Sequence, residues 1–133
     1  MNAKKTCLVV DDSSVIREIA TRIITDLGLN TAEAENANTA IEYCRESHPD
    51  VVFLDWDLPS MGALDFLRGA ANLDEKPVII LCATENDPQQ FTLAKAAGAE
   101  HHVLKPFDKP GIAAKLSEIG MIVSDEPRTA ANQ

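Results

Sequence analysis

The residues best suited to chemistry stand directly after short apolar stretches of the chain. They comprise two adjacent acids, a third acid, a threonine and a lysine: Asp11, Asp12, Asp55, Thr84 and Lys105. If the apolar stretches are neighbouring parallel strands, these side chains meet at the carboxyl edge of one sheet, where α/β folds bind ligands. Clustered carboxylates repel one another, which raises their pKa values unless a cation neutralises them. Oxygen ligands of this kind favour Mg²⁺, so the pattern predicts a divalent metal together with a phosphoryl group.

The apolar stretches themselves predict strands. They cover residues 7–10, 51–54, 78–82 and 102–104, they are rich in Val, Ile and Leu, and none is long enough for a helix. Stretches that do not alternate strictly are typical of strands buried on both faces of a sheet. A weaker strand is predicted at residues 31–34.

Helical periodicity separates the strands. The clearest helix covers residues 15–27, between a serine start at Ser13 or Ser14 and Gly28, a residue type that commonly ends helices. Four more helices are predicted at residues 37–47, 63–70, 88–97 and 110–119, with Asn36 and Asp87 as N-caps of the first and third of these. The repeated strand-helix order predicts an α/β fold with a five-stranded parallel sheet, a doubly wound (βα)5 arrangement with helices on both faces.

Composition limits the class of protein. The 133 residues fit one domain, expected at residues 5–123, with a disordered tail at residues 124–133. The balance of 12 Lys and Arg against 21 Asp and Glu argues against direct nucleic-acid binding, which requires a basic surface. The 3 cysteines lack metal-ligand spacing and are expected to be buried, reduced thiols. No apolar run approaches the roughly 20 residues of a membrane span, so we expect a cytoplasmic protein with no membrane partner.

Four separated motifs resemble the response-regulator receiver domain of bacterial phosphorelay signalling. In chain order they occupy residues 9–12 (VVDD), 54–61 (LDWDLPSM), 83–85 (ATE) and 104–107 (LKPF). The resemblance extends from about Lys5 to Met121, nearly the whole chain. It implies the flavodoxin-like receiver fold of the single-domain, chemotaxis-type response regulators.

The resemblance also implies roles for the acids. Asp55 would accept a phosphoryl group from the phosphohistidine of a histidine kinase or a histidine phosphotransfer protein. Asp12, Asp55 and the backbone carbonyl of Asp57 would hold Mg²⁺, while Asp11 would act through water. Phosphoryl transfer depends mainly on positioning and on neutralising the charge of the equatorial oxygens, which a metal and a lysine supply.

The remaining implied roles concern recognition of the phosphoryl group. Lys105 would pair with its oxygens, the Thr84 hydroxyl would move to bond one of them, and the peptide bond before Pro106 would be cis. A downstream protein would read the change at the face formed by the fourth helix, the fifth strand and the fifth helix. We expect self-phosphorylation and dephosphorylation of a free-standing signalling protein, not catalysis on a separate substrate.

Several positions depart from the usual receiver pattern. His102 stands where receivers often carry a Tyr or Phe whose rotation accompanies activation. The imidazole is either a pH-sensitive switch with an ordinary pKa near 6.5 or a half-exposed strand residue. Gly62 and Ala63 replace an acid and a glycine, which predicts a different turn before the third helix. Asp57 and Asn86 are expected to flank the attacking water and to tune the dephosphorylation rate.

Three other classes of protein share parts of the pattern. A receiver-like binding module that is not phosphorylated usually lacks an acid, the acceptor or the lysine, and all of these are present. A haloacid-dehalogenase-type phosphohydrolase matches the acids at Asp55 and Asp57, but the Asp11–Asp12 pair precedes that strand and a cap segment is missing. A flavodoxin-like cofactor domain needs a phosphate cradle after the first strand, where these acids would repel phosphate.

Overall fold

The computed structural model describes residues 4–122, so the tail predicted at residues 124–133 lies outside the described part. Strands and α-helices alternate through it as the sequence predicts, with a 3-10 helix at Pro59–Met61 before the third α-helix. The elements are β1 Thr6–Val10, α1 Ser14–Asp26, β2 Asn30–Ala34, α2 Ala37–Ser47, β3 Val51–Asp55, α3 Gly62–Ala70, β4 Val78–Ala83, α4 Pro88–Ala96, β5 His101–Leu104 and α5 Lys109–Glu118. None of the helices within residues 4–122 combines the length and the apolar composition needed to cross a bilayer.

All five strands are parallel and lie in the order β2-β1-β3-β4-β5. The order reverses between β1 and β3, which is the topological switch point where such sheets bind ligands. Val10 pairs with Leu54, Asp55 pairs with Cys82, and Ala83 pairs with Leu104. This register brings the residues that follow β1, β4 and β5 to the same edge as Asp55.

The core has two layers because successive strand residues point to opposite faces of the sheet. One layer packs α2, α3 and α4 against one face, around Leu8, Val10, Val52, Leu54, Phe66 and Leu67. The other packs α1 and α5 against the opposite face, around Cys7, Val9, Phe53, Ile24, Ile112 and Leu116. The doubly wound arrangement predicted from the sequence is therefore confirmed.

Polar side chains define where the helices begin. The Ser13 hydroxyl accepts a hydrogen bond from the Ile16 amide, so Ser13 and not Ser14 is the N-cap of α1. Asn36 and Asp87 cap α2 and α4, as predicted, and Asp87 accepts from two amides of the first turn. Each cap satisfies donors that the first turn of a helix leaves without intrahelical partners.

The prediction that the apolar stretches are buried on both faces is wrong for β5. This strand pairs only with β4, at the edge of the sheet, and its residues alternate between half-buried and exposed. His102 and Leu104 are on the exposed side, whereas every residue of the central strand β3 is buried. An edge strand has a neighbour on one side only, so its apolar sequence does not guarantee burial.

The turn before α3, where the sequence departs from the usual receiver pattern, has an unusual backbone. Ser60 and Met61 both adopt the left-handed conformation, with φ angles of 57° and 60°. Gly62 then begins α3, and a Cβ at this position would lie 3.0 Å from the Leu58 Cβ. A side chain at residue 62 would therefore crowd Leu58, which explains why a glycine suits this turn.

All three cysteines are buried and unpaired, as the sequence predicts. Burial raises the pKa of Cys7 to about 12, with a smaller contribution from the Asp50 charge. Burial likewise raises the pKa of Cys44 to about 11. A thiol with so high a pKa carries little of the reactive thiolate at neutral pH. These buried thiols therefore serve as core residues and not as nucleophiles.

The core layer beneath α3 is expected to supply much of the stability. Phe66 is fully buried, so Phe66→Ala should lower the free energy of unfolding by about 3–5 kcal/mol through lost burial and a residual cavity. Val15→Ala is the control, because Val15 is 63% exposed and its truncation should change the value by less than about 0.5 kcal/mol. Urea denaturation of both variants measures the difference, and equal losses would contradict this account of the core.

Candidate functional site

Asp55 is the centre of the candidate site. It is the last residue of β3, the central strand, and it is only 3% exposed. Its Oδ1 accepts a hydrogen bond from the Asp57 backbone amide at 3.0 Å and another from Lys105 Nζ at 3.0 Å. The carboxylate is therefore held at the end of its strand by one neutral and one charged donor.

Lys105 joins two buried acids. It follows β5, and its backbone amide continues the strand pairing by donating to the Ala83 carbonyl at 2.8 Å. Its Nζ lies 3.0 Å from Asp55 Oδ1 and 3.1 Å from Asp11 Oδ2. The peptide bond between Lys105 and Pro106 is cis, as the resemblance implies.

Asp11 and Asp12 are neighbours in sequence but differ in environment. Asp11 is buried, and its Oδ1 accepts a hydrogen bond from the Ser13 amide at 2.9 Å. Asp12 is exposed. Carboxylate oxygens of Asp11, Asp12 and Asp55 all lie within 4.8 Å of one another, so the structure brings the three acids together as expected.

The charges of the site perturb one another. Burial raises the pKa of Asp55, while the Asp57 amide and Lys105 oppose the rise and the Asp11 charge adds to it. The sequence suggested that repulsion between the acids would raise their pKa values. For Asp55 this repulsion raises the pKa less than burial does. Burial alone would lower the pKa of Lys105, but its hydrogen bonds and charge interactions with Asp55 and Asp11 raise it.

The donor set suits a small, hard cation. It consists of three carboxylates, and Mg²⁺ prefers oxygen ligands over nitrogen or sulfur. One acid is exposed and two are buried, so the cluster is open on the solvent side. This openness fits Mg²⁺, which keeps several waters and accepts oxygens of a phosphoryl group.

The other expected site residues lie at the same edge without joining the cluster. Thr84 directly follows β4 and is exposed, as is Asn86 in the loop before α4. Among residues 4–122, neither side chain is hydrogen-bonded to the acids or to Lys105. Asp57 is exposed and contributes its backbone amide, as described above.

His102 packs on the side of β5 that faces α4. Its imidazole stacks on the Phe91 ring, with centroids 4.0 Å apart and planes inclined by 20°. Desolvation lowers the pKa of His102, and the Lys115 charge lowers it further. These effects favour the neutral imidazole and lower the pKa of His102 below its ordinary value near 6.5.

Two contacts of the site region are not predicted by the sequence. Arg17 of α1 donates from Nη1 to the Asp11 backbone carbonyl at 2.6 Å, and Phe91 of α4 is the stacking partner of His102. The sequence offers one signal for Arg17. A cation near the start of a helix opposes the macrodipole, so its presence there indicates a partner outside the helix. Phe91 offered none, because one aromatic residue on a helix predicts only burial.

A comparison with solved structures supports the fold. The chemotaxis response regulator CheY4 of Vibrio cholerae superposes with a TM-score of 0.82, covering 88% of this chain and 99% of that one at 24% sequence identity. At this identity the likeness concerns the fold, which is the flavodoxin-like receiver fold predicted from the sequence.

Sequence comparisons define the family. The model of the response regulator receiver domain matches residues 7–117. The chain is 33% identical over 123 residues to the chemotaxis protein CheY-3 of Vibrio cholerae, covering 90% of this chain and 94% of that protein. It is 36% identical over 117 residues to the chemotaxis protein CheY of Pseudomonas aeruginosa, covering 84% and 93% respectively. The chain belongs to the response regulator receiver domain family, whose members act in two-component signalling and are typically phosphorylated on an aspartate.

Mg²⁺ binding should depend on the exposed acid of the cluster. Asp12→Asn is expected to weaken Mg²⁺ binding at least about tenfold, because it removes a charged ligand while leaving the buried acids in place. Trp56, the only tryptophan, adjoins Asp55 and provides a fluorescence signal for the titration. Asp65→Asn is the matched control, since Asp65 is an exposed acid on α3 that makes an ion pair with Arg68. Equal affinities of the two variants would contradict the assignment of the metal site.

Proposed function

We propose that the protein is a response regulator that accepts a phosphoryl group on Asp55 from the phosphohistidine of a histidine kinase or a histidine phosphotransfer protein. A carboxylate oxygen of Asp55 would form the new P–O bond while the P–N bond to the partner imidazole breaks. The observation that carries the proposal is the Lys105 Nζ, 3.0 Å from Asp55 Oδ1 beside a cluster of three acids. Acceptor, cation and metal ligands then surround one reacting centre.

The contacts of Asp55 suit a nucleophile. Burial favours the neutral acid and raises its pKa, whereas the Asp57 amide and Lys105 favour the carboxylate. The two donors therefore favour the ionised, nucleophilic form of the acid against the effect of its burial. They also orient the carboxylate, which reduces the cost of reaching the geometry of attack.

Asp12, Asp55 and the Asp57 backbone carbonyl would hold Mg²⁺ directly, and Asp11 would act through water. Both oxygens of Asp11 already accept hydrogen bonds, one from the Ser13 amide and one from Lys105. This prior engagement supports an indirect role for Asp11. When bound, Mg²⁺ would neutralise charge that develops on the phosphoryl oxygens.

Phosphorylation would redistribute the contacts of Lys105. By analogy with phosphorylated hydroxyls, the group adds about −1.5 to −2 charges and several acceptor oxygens. These oxygens would compete with Asp11 and Asp55 for the lysine, and they would offer a partner to the Thr84 hydroxyl, which is exposed at the same edge. His102 is the candidate for carrying the change outward from this edge, since it stacks on α4 through Phe91.

A downstream protein would read the change on the surface of α4, β5 and α5. Leu93 and Leu104 are 53% and 44% exposed there, which supports an apolar contact with a partner. Two of the relatives described above are chemotaxis proteins, which makes chemotaxis the candidate pathway. We further propose that residues 5–123 form the receiver domain of a cytoplasmic regulator. A net charge of −9 favours protein partners over direct contact with nucleic acid.

Phosphorylation of Asp55 can be measured directly. The protein incubated with a small-molecule phosphodonor and Mg²⁺ should gain the mass of one phosphoryl group, whereas Asp55→Ala should gain none because the nucleophile is absent. Asp65→Asn should be phosphorylated like the wild type. An adduct that survives Asp55→Ala, or none in the wild type, would refute the proposal. Repeated turnover of a small phosphate ester would instead favour a phosphohydrolase.

The lifetime of phospho-Asp55 should depend on Asp57. A carboxylate that accepts a proton from the attacking water contributes about 100-fold or more to such a step, so Asp57→Asn should slow the decay by about 100-fold or more. Asn86→Ala tests the second residue expected to flank the water. Decay is followed by intact mass after removal of the phosphodonor, and an unchanged rate would exclude the altered residue from this role.

A further inference from the structure

We propose that Arg17 is a positioning residue that holds the loop carrying Asp11 and Asp12 in the geometry needed for Mg²⁺. The inference rests on the proposed function, because it concerns the metal site of that function. Arg17 belongs to α1, one turn after the N-cap Ser13, and does not belong to the acidic cluster itself. Its side chain is 14% exposed, so the guanidinium is largely enclosed beside this loop.

The guanidinium bridges the loop and a neighbouring strand. Its Nη1 donates to the Asp11 backbone carbonyl at 2.6 Å, and its Nε donates to Glu33 Oε1 at 2.8 Å. Glu33 lies on β2 and pairs in register with Val9 of β1. The sheet thus holds the carboxylate that orients the arginine, and the arginine in turn holds the loop.

This contact completes the restraint of Asp11. Its backbone amide donates to the Ala34 carbonyl at 3.1 Å, and its carboxylate is held by Ser13 and Lys105. The carbonyl bound by Arg17 belongs to the planar peptide that links Asp11 to Asp12. Because Ala34 holds the peptide that precedes Asp11 and Arg17 holds the peptide that follows it, the direction in which the chain enters Asp12 is restricted.

Arginine is suited to this task for a geometric reason. Its planar guanidinium presents several donors at fixed angles, so one side chain can bond a carbonyl and a carboxylate at once. Lysine carries a single nitrogen on a flexible stem and cannot reproduce this pair of directions. Partners that orient metal ligands typically change metal affinity by about 10–100-fold when they are removed.

Positioning and simple charge effects predict opposite results. Arg17→Gln removes a positive charge near three acids, and by electrostatics alone this removal should strengthen Mg²⁺ binding. Loss of positioning should weaken it instead. The direction of the change therefore separates the two explanations.

Arg22 provides a matched control on the same helix. Its Nη2 lies 2.9 Å from Glu18 Oε2, and the two side chains are 73% and 67% exposed. Arg22→Gln alters the net charge of the protein as Arg17→Gln does, yet it breaks only a surface ion pair. Such pairs contribute little to structure.

The test measures Mg²⁺ affinity by calorimetry and follows the Asp12 amide by NMR. Arg17→Gln should weaken Mg²⁺ binding about tenfold and shift the Asp12 amide resonance, whereas Arg22→Gln should leave both unchanged. Arg17→Lys should fail to restore the affinity. Glu33→Gln should have a smaller effect, and adding it to Arg17→Gln should cause no further loss because Glu33 acts through the arginine.

Each outcome bears on a defined claim. Unchanged or stronger Mg²⁺ binding by Arg17→Gln, with normal binding by the wild type, would overturn this inference and leave the proposed function intact. Full rescue by Arg17→Lys would also overturn it, since the two fixed donor directions of the guanidinium would then be unnecessary. Absence of Mg²⁺ binding by the wild type would overturn the metal-dependent function together with this inference. Circular dichroism confirms that each variant is folded.

Discussion

The structure of the site depends on one ammonium group shared by two buried carboxylates. Lys105 Nζ lies about equally far from Asp11 and Asp55, at 3.1 and 3.0 Å, where little water can solvate either acid. A buried charge is costly unless it is paired, so each of these groups requires the others. The three residues follow or end β1, β3 and β5, and the ion pair therefore links three strands at one edge of the sheet.

The same constraint explains why function is confined to the carboxyl edge. The central strands are buried between two helical layers, where a charge could find no partner. At the strand ends, backbone amides of the following loops become available, and the amides of Ser13 and Asp57 indeed bond Asp11 and Asp55. The fold thus provides a place where acids can be buried and still satisfied. In the proposed function a phosphoryl group enters this balance and competes for the lysine.

The strands that carry Asp55 and Lys105 differ in how deeply they are buried. β3 is buried throughout, whereas β5 has a strand neighbour on one side only and exposes alternate residues. Regions with fewer buried contacts open and shift at lower cost. A change at Lys105 is therefore expected to move β5 and its His102–Phe91 stack more readily than the acceptor strand. This difference favours transmission toward α4 and away from the core.

Local patterns in the sequence determined the strand-helix order, the caps at Asn36 and Asp87 and the identity of the residues at the strand ends, because periodicity and capping act over a few residues. Only the tertiary structure decided which of those residues touch. Asp11 and Lys105 are 94 positions apart, and sequence spacing cannot state their distance. The contact of Arg17 with the acidic loop and the exposure of β5 likewise follow from strand order and packing. Such features depend on long-range neighbours, which no local pattern specifies.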